Sequence, residues 1–239
     1  MSSVQTPHTS REFDQQLDQA RDLVLEMGAR VDRQVVDALQ CLMSGSGALA
    51  DQVMRHEAMV NALERSVDEL VGQIIARRQP AAVDLRLLTA LIKTTTDLER
   101  IGDEAKKIAL FSRKIGTESR PLLPRYVEIR HMAGVALEML RAAMASLEKF
   151  DLEHTAEIVR MDDEVDDAFR AVLRQLITFM IEDPRTISSC LDVVFVAKAL
   201  ERVGDHAKNI SEYAVYAVKG KDVRHTSVEE IEREVGSAQ

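Results

Sequence analysis

The sequence predicts an all-α protein of two tandem similar three-helix bundles, with six long antiparallel helices. Hydrophobic residues make up 46% of the chain but aromatic residues only 4%, which favours helices packed through aliphatic side chains. Apolar residues recur at steps of three and four between widely spaced prolines. The string "DLERIGDEAKKI" at 97–108 returns as "ALERVGDHAKNI" at 199–210. A duplicated helical unit needs three helices to close its apolar faces.

The first half of the chain contains three predicted helices. The first begins after Ser10, a common N-cap residue, and its apolar stripe ends near the "SGSG" at 44–47. The second runs from about 48 to 78 and stops before Pro80. The third runs from about 83 to 114, where "GTESRPLLP" breaks the apolar pattern and marks a domain boundary.

The second half repeats this plan with predicted helices at about 125–150, 152–182 and 185–218. A short acidic segment, "TSVEEIEREVGSAQ", follows them and predicts at most a marginal helix. The predicted organisation is a first bundle at 8–116, a linker at 117–124, a second bundle at 125–222 and an acidic C-terminal tail at 223–239.

Charge and cysteine usage exclude several classes of protein. The formal net charge is −9 and basic residues are interleaved with acids, so nucleic acid is not an expected partner. Cys41 and Cys190 lie far apart, which indicates neither a zinc finger nor a disulfide framework. We find no apolar N-terminal region and no apolar run of the ~18 residues that a membrane span requires. We therefore expect a cytoplasmic protein that meets membranes only through partners.

The repeated string carries paired carboxylates. Glu99 and Asp103, like Glu201 and Asp205, are four residues apart and project from one face of a helix. The glycine inside each string costs roughly 1 kcal/mol relative to Ala in a helix, and the close approach of a neighbouring helix would explain it. We expect the second and fifth helices to make that approach.

Such an approach would bring further acids to each pair. The string "EAMVN" at 57–61 would place Glu57 and Asn61 beside the first pair, and "DDEVD" at 162–166 would place Asp162 and Asp166 beside the second. Converging carboxylates repel one another unless cations compensate, and hard oxygen ligands suit Mg, Mn, Ca or Fe, with Zn also compatible. The alternative is that these acids are surface carboxylates in salt bridges with nearby lysines.

No catalytic constellation is present in the sequence. It has no Gly-rich phosphate loop and no nucleophile elbow, so the chain is predicted not to be an enzyme. A ferritin-like di-iron site would need two Glu-x-x-His motifs, and the chain offers one, Glu128 to His131. His206 adjoins Asp205 but points about 100° away from it around the helix, so it is not an expected ligand.

Several strings in order resemble the PhoU family of phosphate-uptake regulators, from His8 to His225. They include "RRQP", "DLERIGDEAKKIA", "MIEDPRTI", "LERVGDHAKNISE" and "VKGKDVRH". The resemblance implies two similar three-helix bundles in a cytoplasmic, non-enzymatic adaptor that represses the phosphate-starvation response when phosphate is plentiful. The implied partners are the ATPase subunit of the phosphate ABC transporter and a membrane sensor histidine kinase, and a homodimer is expected.

The resemblance also implies a metal site in each bundle, binding Fe, Zn, Mn or Mg. Because Asn61 stands where the family pattern has Asp, we expect tighter binding in the second bundle. Two alternatives remain open: a structural dimeric helical protein, and a carboxylate-bridged metalloenzyme. The implied ligands are Glu57, Glu99 and Asp103 in the first bundle, and Asp162, Asp166, Glu201 and Asp205 in the second.

Overall fold

A computed structural model of the chain describes residues 11–117, 127–224 and 226–236. These residues form helices joined by short turns and contain no strand, which confirms the predicted all-α class. Most of the predicted linker lies outside the described residues, as do the start of the predicted first bundle and the end of the tail. The helices are α1 (Arg11–Ser44), α2 (Gly47–Arg78), α3 (Ala82–Thr117), α4 (Val127–Lys149), α5 (Thr155–Glu182), α6 (Ile187–Lys219) and α7 (Val228–Gly236), with one 3₁₀ turn at Pro184–Thr186.

Local signals set most helix ends close to their predicted positions. The Ser46 side chain accepts a hydrogen bond from the Leu49 N–H and caps α2. Gly220, with φ of 74°, ends α6 in the left-handed conformation that glycine tolerates best. The start of the fifth helix was predicted at 152, but α5 begins at Thr155, because the Asp151 carboxylate accepts from the Glu153 N–H and holds a turn there.

The acidic tail forms a helix that packs on the second bundle. Ser227 and Glu230 make a reciprocal capping box, in which each side chain accepts from the other residue's backbone N–H. Ile231 is 1% exposed and joins the main hydrophobic core, and α7 lies against α5. The Arg160 side chain pairs with Glu232 across this contact. The described part of the tail therefore forms a packed helix, where its composition predicted at most a marginal one.

The two bundles share one core. Helix α2 lies beside α1 and α3, and α5 lies beside α4 and α6, as two three-helix bundles require. The bundles then meet through α3 against α6 and α1 against α4. At the α1–α4 contact, a Cβ on Gly28 would lie 2.4 Å from Met144 Cε, so the Met144 side chain packs directly on the glycine and would have to move for any larger residue. Nearby, Asp32 accepts from Arg141 Nε at 2.6 Å.

Helices α3 and α6 run antiparallel and are joined by three pairs of polar side chains. Asp97 Oδ1 lies 2.7 Å from His206 Nδ1, and Glu104 Oε1 lies 2.6 Å from Arg202 Nη1. A third pair joins Lys114 Nζ to Asp192 Oδ1 at 2.7 Å. The acid of each pair is nearly fully buried, so these contacts fix the register of the two helices. None of the described helices combines the length and the apolar character that a membrane span needs.

Candidate metal centre

Three carboxylates converge between α2 and α3 in the first bundle. Glu57 comes from α2, and Glu99 and Asp103 lie one turn apart on α3. One ligand atom from each lies within 4.8 Å of the other two. Among the described residues, no other group of acids, histidines or cysteines meets that criterion. The convergence predicted from the repeat is therefore present in the first bundle.

Gly102 allows Glu57 to approach the backbone of α3. A Cβ at this position would lie 3.1 Å from Glu57 Oε2, closer than nearly all Cβ contacts in proteins. Gln34 of α1 completes the contact: its Nε2 donates to Glu57 Oε2 at 2.9 Å and to the Gly102 carbonyl at 3.1 Å. The predicted close helix crossing is confirmed, and it carries a polar contact as well as apolar packing.

One oxygen of Glu57 is left without a hydrogen bond. The residue is 5% exposed, and Oε1 is buried with no hydrogen-bond partner. Lys106 Nζ lies 3.9 Å away, beyond hydrogen-bond distance. The Oδ1 atom of Asn61, one turn further along α2, is also buried without a partner. Unpartnered buried oxygen atoms are costly unless a donor or a cation is supplied, so these residues fit a metal ion.

The electrostatics of this cluster also favour a cation. Burial raises the pKa of Glu57; the hydrogen bond from Gln34 opposes this shift, and the nearby charge of Asp103 adds to it. Burial likewise raises the pKa of Glu99, with Asp103 and Glu64 adding to the effect. Burial raises the pKa of Glu64 too. Each shift means that the negative form is disfavoured in the folded protein, and a bound cation would reverse that penalty.

Sequence reasoning missed Glu64 and Gln34. Glu64 lies seven residues after Glu57, which is two turns along the same helix face, and this spacing was the signal available for it. Gln34 comes from α1, and nothing in the sequence predicts that α1 would contact α2 and α3 at the level of Glu57 and Gly102.

The second bundle presents the same positions with three of its four acids already paired. Lys208 Nζ donates to Asp162 Oδ2 at 2.7 Å, and Lys198 pairs with Glu201. Arg170 Nη2 lies 3.3 Å from Asp166 Oδ2. The structure does not bring three of these acids within ligand distance of one another. In this bundle, the alternative of surface acids in salt bridges describes what is seen.

Asp205 shows some of the electrostatic repulsion expected at a metal site. Partial burial raises its pKa, and the charges of Glu201 and Asp162 raise it further. Lys198 opposes that shift. In the first bundle, Lys106 is the cation that lies beside the three acids. In the second bundle, three cations, Lys198, Lys208 and Arg170, lie beside the four acids. The geometry therefore favours the first bundle, opposite to the order expected from the sequence.

His206 has a structural environment. It is 6% exposed, and its Nδ1 lies 2.7 Å from Asp97 Oδ1 across the α3–α6 contact. It faces away from the acids of the second bundle, in agreement with the angle expected from the helix geometry.

The duplicated carboxylate strings and the paired bundles agree with comparisons to known proteins. The PhoU domain matches twice, over residues 24–111 and 129–214. The chain belongs to the PhoU family. The PhoU domains cover α1 to α3 and α4 to α6, so each match corresponds to one three-helix bundle. The resemblance seen in the ordered strings is confirmed.

Similar PhoU proteins align along nearly the whole chain. A relative from Pseudomonas putida, described as a "Phosphate-specific transport system accessory protein PhoU homolog", is 42% identical over 96% of this chain and 90% of its own length. The PhoU protein of Escherichia coli K12 is 37% identical over 95% of this chain and 93% of its own. The crystal structure of PhoU from Pseudomonas aeruginosa superposes with a TM-score of 0.84 at 40% identity, covering 87% of this chain and all (100%) of that one.

Proposed function

We propose that this protein is a non-enzymatic negative regulator of phosphate uptake and of the phosphate-starvation response. The observation that carries the proposal is the end-to-end similarity to proteins described as phosphate-specific transport system accessory proteins. Both PhoU domains are present, and the fold superposes on the whole length of the PhoU crystal structure from Pseudomonas aeruginosa, which supports a shared architecture.

In this proposal the protein acts in the cytoplasm as an adaptor. It binds the ATPase subunit of the phosphate ABC transporter and a sensor histidine kinase, and it reaches the membrane only through them. It acts as a homodimer. An adaptor shifts a kinase between two states only if it binds one state more tightly, so the partner surfaces must discriminate between those states.

The proposed adaptor binds metal. Glu57, Glu99 and Asp103 would hold a divalent or ferric ion, with Fe, Zn, Mn or Mg as the candidate metals. Such an ion would offset the repulsion between these acids and satisfy the buried Glu57 oxygen. The chain's own part is to hold the three carboxylates in place: Gln34 fixes Glu57, and the α3 backbone fixes the other two.

Partner binding separates this function from its rivals. We would measure binding of the purified chain to the purified ATPase subunit and to the cytoplasmic part of the kinase. The adaptor predicts specific binding to at least one of them. A structural dimeric protein would bind only itself, and a carboxylate-bridged metalloenzyme would turn over phosphate esters when Mn or Fe is added.

A further inference from the structure

An apolar patch lies on the outer face of α3 and α6, opposite the side covered by α1 and α4. The rings of Phe111 and Phe195 stack across the two helices, with centroids 5.1 Å apart and planes 15° from parallel. Phe195 is 52% exposed, and Leu191 and Ile187, one and two turns before it on α6, are 45% and 42% exposed. We call these four residues the aromatic patch. Exposed apolar residues grouped in this way mark interaction surfaces more often than single exposed ones do.

Cationic side chains border the aromatic patch, and each pairs with an acid beneath it. Lys107 and Lys114 lie one turn before and one turn after Phe111, while Lys198 and Arg202 follow Phe195 on α6. The positive charges are therefore exposed to an approaching partner, whereas the acids that neutralise them are buried. The exposed side-chain fractions are 45% for Lys107, 56% for Lys114, 49% for Lys198 and 42% for Arg202, against 3% for Glu104, 4% for Asp192 and 12% for Glu201.

The internal repeat contains an equivalent position that the chain itself covers. Glu99 and Glu201 are 102 residues apart, and the same offset relates Lys93 to Phe195 and Phe111 to Tyr213. At that other end of the α3–α6 pair, Lys93 Nζ lies 5.4 Å from the centroid of the Tyr213 ring. Tyr213 is only 9% exposed, whereas Phe195, which corresponds to Lys93, is 52% exposed at the aromatic patch.

The cover at the equivalent end is the segment after α6. Gly220 lies against the guanidinium of Arg86 on α3, since a Cβ there would be 3.3 Å from the Arg86 Cζ. Val223 is 5% exposed, and the neighbouring Asp222 pairs with Arg224 of the same segment. The segment after α6 thus packs on this end of the helix pair through Val223 as an apolar anchor.

We propose that the aromatic patch on α3 and α6 docks an acidic amphipathic helix of a partner protein. The stripe from Ile187 to Phe195 spans roughly 12 Å, about two helical turns, which suits apolar anchors at helical spacing on the partner. Acids beside those anchors meet the exposed cations that border the aromatic patch. A second copy docked face to face would instead oppose the same lysines to one another.

This inference rests on the proposed adaptor function, because it names the surface through which the adaptor holds a partner. The test uses the full chain with the purified transporter ATPase subunit and the cytoplasmic part of the sensor kinase as probes. Phe195→Asp places a negative charge at the centre of the patch. Leu85→Asp is the matched control, since Leu85 is 42% exposed and lies toward the other end of α3.

We expect Phe195→Asp to weaken binding to one of the two probes by at least about tenfold, with no loss for Leu85→Asp. Leu191→Ser should act in the same direction without introducing charge, and higher salt should weaken wild-type binding. Phe195 and Leu191 are about half exposed, so both variants should unfold at the wild-type temperature, which a thermal melt checks.

Three results would overturn the inference. Equal binding of wild type and Phe195→Asp to both probes would mean that the partner docks elsewhere, and the adaptor would stand without this surface. Loss of self-association in Phe195→Asp, with probe binding intact, would assign the patch to a second copy. Loss of binding to anionic phospholipid vesicles alone would assign it to a membrane. If wild type binds neither probe, the adaptor function itself fails.

Discussion

Gly102 and Gly204 occupy the same position in the two repeats, yet different atoms face them. A Cβ on Gly102 would approach the oxygen atoms of Glu57 and Gln34, at 3.1 and 3.2 Å. A Cβ on Gly204 would meet Val165 Cγ1 of α5 at 3.5 Å and Met139 Sδ of α4 at 3.6 Å, which are ordinary contacts. Gly102 thus leaves room for a polar contact, whereas Gly204 only limits the size of the side chain that fits at its position.

Substitutions at Gly204 should depend on side-chain size. We expect Gly204→Ala to leave the free energy of unfolding unchanged or to raise it by up to about 1 kcal/mol, since alanine favours the helix and fits. Gly204→Leu should cost roughly 1–3 kcal/mol through overpacking against Val165 and Met139. Urea denaturation measures both. Equal stability of the leucine variant and wild type would show that α5 and α6 do not meet here as described.

Removing acids should lower metal content mainly in the first bundle. We expect Glu99→Gln with Asp103→Asn to lose most bound metal, because these residues and Glu57 have few compensating cations. The matched control is Glu201→Gln with Asp205→Asn, whose neighbours Asp162 and Asp166 are already paired with cations. Elemental analysis and calorimetry measure the loss. If only the control variant loses metal, the order expected from the sequence is right and the structural argument is wrong.

The metal-free protein should not be harmed by the same change. The pKa of Glu99 is raised in the folded state, so its ionised form is disfavoured there and the neutral amide relieves repulsion. We expect the melting temperature of the metal-free Glu99→Gln, Asp103→Asn variant to equal or exceed that of wild type. A fall of several degrees would mean that these acids act as structural ion-pair partners.

Glu212 should make stability depend on pH. Burial raises its pKa from 4.5 to about 7, so the folded state binds a proton that the unfolded state releases between those values. The contribution of Glu212 to stability is therefore present below pH 4.5 and is lost as the pH rises toward 7. Glu212→Gln should remove this decline and be more stable than wild type at pH 8, as measured by urea denaturation. An unchanged pH profile in the variant would rule out Glu212 as its source.

At the scale of the helices, the sequence predicts each element better than it predicts their contacts. Proline and glycine signals placed α1 to α6 within a few residues, because those signals act locally. The repeat also predicted that Glu57 would meet Glu99 and Asp103. It did not predict Gln34 in the site or Lys208 on Asp162, because these contacts depend on how neighbouring helices are rotated and shifted. Composition likewise did not predict a packed helix at α7, because its stability depends on the burial of Ile231 against α5.

The capping box of α7 offers a test at this scale. Ser227→Ala removes the oxygen that accepts the Glu230 N–H, and the loss of such a cap typically costs about 1 kcal/mol. We expect faster amide hydrogen exchange across α7 with little change in the exchange of α3 and α6. Serine-to-threonine substitution, which keeps the hydroxyl, is the control. Unchanged protection of α7 in the alanine variant would show that packing of Ile231 alone holds the helix.

At the scale of the whole molecule, the shared core and the buried ion pairs between α3 and α6 make the two bundles one mechanical unit. Such a unit transmits a change at one surface to another more readily than two loosely linked domains would. The carboxylate cluster proposed to bind metal lies between α2 and α3, and the aromatic patch lies on α3 and α6, so one helix contributes to both. This arrangement suits an adaptor that must hold two partners in a fixed relation.

The central claim is that this chain represses the phosphate-starvation response. The most direct measurement is the expression of a starvation-induced reporter in high phosphate, in a strain whose own copy of the gene is deleted. We predict that the deletion strain expresses the reporter constitutively and that the wild-type chain restores repression. Normal repression in the deletion strain, or expression that stays high when the chain is supplied at normal levels, would contradict the account.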